Sequence, residues 1–170
     1  DTVVAAAGSM EQHGPHMPMI TDTLLGTVTA DAVAARMGNV LRGPTIPFGV
    51  SDHHMAFKGT ITLDKGCFKN VVRHYVQSLA HHGFKNIVIL PSHGGNFGPL
   101  KELEEETGGE INGARYLPYT DLMEFVRVLN QVAEPDGISA EVSGAHAGEG
   151  ETSMVLAVRP ELVNMSRAEE

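Results

Sequence analysis

Two hydrophobic rhythms alternate along the chain. Residues 2–7, Thr2-Val3-Val4-Ala5-Ala6-Ala7, form a short apolar run closed by Gly8, the pattern of a buried strand. Residues 22–37 place Leu24, Leu25, Val28, Ala32, Val33 and Ala35 at helical spacing, with Thr21 or Asp22 available as the N-cap. Residues 40–48 read as extended, interrupted by Pro44 and Pro47, and 49–59 as a polar loop. A second amphipathic helix is predicted over 65–82, where Phe68, Val71, Val72, Tyr75, Val76 and Leu79 share a stripe that ends at Gly83. Residues 86–90, Asn-Ile-Val-Ile-Leu, suit a strand covered on both faces. The spacing then predicts a helix over 96–107, a strand over 114–119, a helix over 121–132 and a last helix over 148–158, stopped by Pro160. Strands separated by helices imply βαβ units, hence an α/β fold: a three-layer α/β/α sandwich around a mainly parallel sheet.

Size and composition narrow the picture. A chain of 170 residues supports one domain with a substantial core, here 1–170. It opens inside a strand without an initiator Met and closes on Ala168-Glu169-Glu170, so it reads as trimmed at both ends. The net charge of −9 argues against nucleic acid or an anionic membrane as partner. No stretch approaches the ~18 apolar residues of a membrane span. Cys67 is the single cysteine, so no internal disulfide can form and a reducing, cytoplasmic setting is the default. Its place on a helical stripe suggests a small core residue. The unusual feature is nine histidines beside no tryptophan. Histidine is the common metal ligand and proton carrier near neutral pH.

The glycines gather at strand–helix junctions, where open α/β sheets bind ligands. At the first junction, Gly8-Ser9-Met10-Glu11-Gln12-His13-Gly14-Pro15-His16, Glu11 and His13 lie two apart and would point the same way in extended chain. A carboxylate and an imidazole side by side make two ligands of a Zn, Mn or Fe site. Asp22 follows near a helix start, and its two oxygens could bridge two ions. A solvated glutamate and a turn-capping histidine would look the same in isolation. At the second junction, Pro91-Ser92-His93-Gly94-Gly95-Asn96, a histidine at a strand end precedes two glycines, which allows backbone to approach a ligand closely. A plain tight turn is the alternative, and neither phosphate-loop motif occurs. The third is Ser143-Gly144-Ala145-His146-Ala147-Gly148-Glu149-Gly150-Glu151-Thr152-Ser153. Its carboxylates also suit a helix start on charge alone.

Together these segments resemble the creatininase (creatinine amidohydrolase) family: Gly8-Ser9, Glu11-Gln12-His13-Gly14-Pro15-His16, Pro18, Asp22, Ser92-His93-Gly94-Gly95-Asn96 and His146-Ala147-Gly148-Glu149 with Glu151-Thr152-Ser153, in that order. Gly49-Val50-Ser51-Asp52-His53-His54 and Phe57-Lys58-Gly59-Thr60 resemble that family's loop before its second helix. The resemblance implies an α/β/α fold, one or two divalent ions per chain, hydrolysis of a non-peptide or cyclic amide C–N bond by metal-activated hydroxide, and a homo-oligomer, often a hexamer. The family also includes a formamide deformylase and a mycofactocin-type peptidase. By the same resemblance Glu11, His13, Asp22 and His93 are metal ligands, Asp22 bridging, and His146 is catalytic. Creatininase proper carries a metal-binding Glu just after the histidine matching His93; here Gly94 and Gly95 stand there, so either Glu151 is the replacement carboxylate or the site holds one tight metal only. The family's substrate-side tryptophan is absent as well, which points away from creatinine.

A reading of the whole then follows. The substrate is a small-molecule amide. Gly94, Gly95, Asn96 and His53 are substrate-binding candidates, the glycine N–H groups as oxyanion donors. His146, tuned by Glu149 or Glu151, is the candidate general acid for the leaving nitrogen. His16 is a candidate to orient a ligand. His74, His81 and His82 belong to a helix surface. No G-x-S-x-G elbow supports a serine nucleophile. The alternative is a non-catalytic metal- or ligand-binding subunit of the same fold.

Overall fold

Six of the expected segments become the frame of a single sheet and its covering helices. In the computed structural model, which describes residues 1–168, strands β1 (Thr2–Ala7), β2 (Leu41–Arg42), β3 (Asn86–Pro91), β4 (Glu110–Ile111) and β5 (Ala114–Pro118) run in the order β2-β1-β3-β5-β4. Glu169 and Glu170, the end of the expected trimmed domain, lie outside the described residues. All pairs are parallel except β4–β5. β1 and β3 pair in register from Thr2↔Asn86 to Ala7↔Pro91, so both strands end at the same level and deliver their following loops to one edge.

The helices are α1 (Thr21–Met37), α2 (Lys65–His81), α3 (Gly94–Thr107), α4 (Leu122–Ala133), α5 (Ala140–Ser143) and α6 (Glu149–Val158). One sheet face packs Ala5, Ala7, Ile87 and Ile89 on Phe68, Val72 and Val76 of α2 and Leu100 and Leu103 of α3. The other packs Val4, Ala6, Val88 and Leu90 on Ala30 and Val33 of α1. The sheet is therefore the middle of three layers, which explains why β1 and β3 lack a polar face. A smaller cluster of Met17, Leu25 and Val155 fastens α6 to the start of α1. Among the described residues no helix is long and apolar enough to cross a membrane.

Several elements depart from expectation. Of residues 40–48 only Leu41–Arg42 joins the sheet, with one bridge from Ile46 to Ala7, because Pro44 and Pro47 offer no ladder donor. The β4–β5 hairpin turns on Asn112 (φ 52°) and Gly113 (φ 79°), the two-residue turn that an Asn-Gly pair favours. Helix α3 begins at Gly94 rather than 96, with His93 at its N-cap. Helix α1 begins at Thr21 behind Ile20 and has no side-chain cap, so Asp22 is left free to point elsewhere. Cys67 is exposed in the first turn of α2 and is no core residue.

Candidate metal centre

Four chain segments converge at the edge where β1 and β3 end. The segment after β1 brings Glu11 and His13, each about 1% exposed. The first turn of α1 brings Asp22, the end of β3 brings His93, and the approach to α6 brings His146 and Glu151. Asp22 lies at the middle. Its Oδ1 is 3.2 Å from His13 Nε2, and its Oδ2 is 3.2 Å from His93 Nδ1. Each imidazole has a second carboxylate beside the same nitrogen: Glu151 Oε1 at 3.6 Å from His13 Nε2, and Glu11 Oε1 at 3.3 Å from His93 Nδ1. The result is two half-sites, His13–Glu151 and His93–Glu11, that share Asp22.

The far nitrogen of each imidazole is pinned to backbone. His13 Nδ1 donates to the Glu11 carbonyl at 3.2 Å, and His93 Nε2 donates to the Val50 carbonyl at 2.8 Å. That fixes which nitrogen faces the carboxylates, as in histidines that bind metal. Gly95 makes the second contact possible, since a side chain there would collide with both the Val50 carbonyl and the His93 ring. Ser51 adds a contact at 3.3 Å from His93 Nε2.

Charge is the other half of the site. Burial opposes the imidazolium form of His13, but the Asp22 and Glu151 carboxylates override it and push His13 up to about 10. His93 likewise is pushed up to about 10 by Asp22 and Glu11 against the effect of burial. Burial would raise Asp22, yet His13 and His93 hold it at about 2. Glu11 is also held down, by His93 and Ser51. Three carboxylates thus demand positive charge at two points between them. His13 Nε2, Asp22 Oδ2 and Glu11 Oε2 are nonetheless sealed from solvent with no aligned hydrogen-bond partner. Orphaned nitrogen and oxygen donors around a shared carboxylate fit divalent cations of the Zn, Mn or Fe kind.

Five imidazoles arch over the carboxylates. Ring centroids step from His13 to His146 (4.4 Å), His146 to His54 (4.6 Å), His54 to His53 (4.4 Å) and His53 to His93 (5.6 Å). Asp22 touches both ends of that arch. His54 Nε2 and His146 Nδ1 lie 3.6 and 3.7 Å from Glu11 Oε1. Burial and neighbouring positive rings lower both of these histidines, in contrast to His13 and His93.

The structure gathers the five residues expected as ligands, Glu11, His13, Asp22, His93 and Glu151, together with His146 and His53. Gly94 and Gly95 line the adjoining cavity. It does not bring Glu149 or Asn96 to the cluster. Glu149 accepts a bond from Ser153 Oγ along its own helix. Asn96 is fully buried and spends its amide on the backbone of Ala7, Gly8 and Val50. His16 bonds Thr152 Oγ1 and so braces α6 rather than a ligand. His74, His81 and His82 are exposed on or just beyond α2. Ser51 and Gln12 are the residues that sequence reasoning left without a role; His54 is read there only with His53, as a doublet of which one ring lines the pocket.

Next to the cluster is a cavity of about 550 Å³ whose far wall is Leu25, Leu122, Phe125, Val126, Leu129 and Met154. Among the described residues no Lys or Arg lines it.

Known proteins match this chain along its length. A family model described as creatininase, creatinine amidohydrolase, matches residues 1–170. A mycofactocin precursor peptide peptidase of Mycobacterium ulcerans is 33% identical over 98% of this chain and 62% of its own length. The creatinine amidohydrolase of Pseudomonas putida is 30% identical over 94% of this chain and 65% of its own. A solved creatininase described with Mn superposes with a TM-score of 0.79 at 28% identity, over 99% of this chain and 69% of that one. The chain therefore spans under two thirds of the length of the curated relatives it matches.

Proposed function

The chain belongs to the creatininase family, and from that premise we propose that it hydrolyses an amide C–N bond other than an ordinary peptide bond, in a small molecule whose flanking group is apolar. The observation that carries the proposal is Asp22, whose two oxygens face two different imidazoles at 3.2 Å. His93, Glu11 and Asp22 would hold one divalent cation, and His13, Glu151 and Asp22 a second. Bound there, Zn, Mn or Fe supplies Lewis-acid polarisation of the carbonyl and lowers the pKa of water towards ~7.

The protein's own groups do the rest. Backbone N–H groups of Gly94 and Gly95 open α3 beside the cavity and serve as donors to the developing oxyanion. His146 has a side chain 33% exposed and Nδ1 turned to the cluster, so it reaches substrate and hands a proton to the leaving nitrogen. Glu151 steadies this loop: its Oε2 accepts from the Ala147 N–H, where Ala147 carries a positive φ of 54°. The apolar wall receives the group flanking the scissile bond. It offers nothing to hydrogen-bond a sugar, a phosphate or creatinine. Assembly as a homo-oligomer, in the manner of a hexamer, belongs to the same proposal and is read by light scattering.

The test combines metal content with turnover. Purified protein should carry roughly one to two divalent ions per chain, and Asp22→Asn should lose at least one while keeping its circular dichroism, since a carboxamide offers one oxygen where two are used. Metal-loaded wild type should hydrolyse N-acyl or cyclic amides with apolar substituents faster than charged ones. Full metal and normal turnover in Asp22→Asn would overturn the shared-carboxylate site. Full metal with no turnover of any amide would make the protein a binding subunit.

A further inference from the structure

Gln12 stands between the two candidate ligands Glu11 and His13, and its side chain reaches the outer nitrogens of two rings of the arch. Its amide touches three groups. Oε1 accepts the Gly14 N–H at 2.9 Å. Nε2 is 3.0 Å from His54 Nδ1 and 3.0 Å from His146 Nε2. The Gly14 contact decides the orientation of the amide, because the reverse would set an NH₂ against a backbone N–H. That contact depends on Gly14, whose φ of +66° and close approach to the His16 ring exclude a side chain. With the amide so fixed, its two N–H bonds go to two imidazole nitrogens, which must both be acceptors. The proton of neutral His54 is then on Nε2 and that of neutral His146 on Nδ1. Those are the two atoms that face Glu11 Oε1.

We propose that Gln12 is a positioning residue that sets which nitrogen of His146 and of His54 carries the proton, and so which is offered to the substrate side. A glutamine side chain allows two settings. As it stands, Nδ1–H of His146 is a donor towards the cluster. If the amide turns over, Oε1 meets an Nε2–H of His146, the Gly14 bond is given up, and Nδ1 is free to take a proton from water and pass it to the leaving nitrogen. A glutamate keeps the Gly14 bond and requires an Nε2–H on His146, and a methionine enforces neither form. The inference leans on the proposed hydrolysis only for why the setting matters; the setting itself is a property of three hydrogen bonds.

The experiment is ¹⁵N NMR of the full chain labelled at histidine, metal-free and zinc-loaded, with His146→Asn and His54→Asn used to assign the two rings. In wild type His146 should show a protonated Nδ1 and an unprotonated Nε2, the less common form in water. Gln12→Glu should move the proton to Nε2. Gln12→Met should leave His146 exchanging between forms and lower kcat about tenfold or more, with KM within about twofold. A wild-type His146 protonated at Nε2 overturns the proposal, and so does an unchanged His146 signal in folded Gln12→Glu. If no amide is ever turned over, the NMR outcome still decides the role of Gln12, so the two readings fail separately.

Discussion

His93 shows how far single side chains are constrained at this edge. One ring nitrogen is committed to the Val50 carbonyl, and the other is left between Glu11 and Asp22. Its protonation therefore follows the carboxylates, and the same holds for His13. Both imidazoles are raised from 6.5 to about 10, so the stability they add to the metal-free protein is full below pH 6.5 and lost as pH climbs towards 10. Asp22 is lowered from 3.8 to about 2, so its contribution is full above pH 3.8 and lost as pH falls towards 2. Metal-free protein should accordingly be most resistant to urea between about pH 4 and 6.5. Zinc has to displace the two imidazole protons, so its apparent affinity should climb steadily from pH 6 to 9. Titration calorimetry in buffers of different ionisation enthalpy counts the protons released; none released would contradict the proton-held site. Much of this cluster was legible in the sequence, since Glu11 and His13 share a side of extended chain whatever follows. His54, Ser51 and Gln12 were not, because their roles depend on how the loop 49–59 folds back, and that loop has no hydrophobic period to read.

At the scale of elements, Asn96 is the tie that holds the junctions at one level. Its Nδ2 donates to the carbonyls of Ala7 and Gly8 at 3.1 and 3.0 Å, and its Oδ1 accepts the Val50 N–H at 3.1 Å. It thus joins the end of β1, the start of α3 and the loop whose carbonyl holds His93. Asn96→Ala leaves the Gly8 carbonyl and the Val50 N–H without a partner, while the Ala7 carbonyl keeps the Ser92 N–H, and should cost about 2–3 kcal/mol in chemical denaturation. The same variant should weaken zinc binding roughly tenfold through the loosened His93–Val50 contact; unchanged stability and affinity would remove Asn96 from the frame. Long periodic segments such as α1, α2 and α4 were readable as elements because their burial is regular. Extended backbone over 40–48 was readable, but not how little of it pairs, because prolines permit extension without a ladder. The β4–β5 hairpin was under-read although Asn112-Gly113 marks its turn.

Across the whole molecule, the sheet edge separates two unlike walls around one cavity of about 550 Å³. On one side are three carboxylates and an arch of imidazoles; on the other, Leu25, Phe125, Leu129 and Met154. The three-layer order was legible from alternating strand and helix signals. The apolar wall was not, because α4 meets α6 only in the folded chain. That wall bears on the end of the reaction as much as on its beginning. An amide is neutral, whereas its hydrolysis gives a carboxylate and an ammonium group at neutral pH. Neither charged fragment is at home against aliphatic side chains. Under the proposed hydrolysis the wall should therefore hold the substrate better than the fragments made from it. Added amine product at concentrations near KM should slow turnover less than twofold, and strong product inhibition would show that the released fragments find partners other than this wall. In that reading, a site with so unequal a pair of walls would clear its apolar side after each turnover.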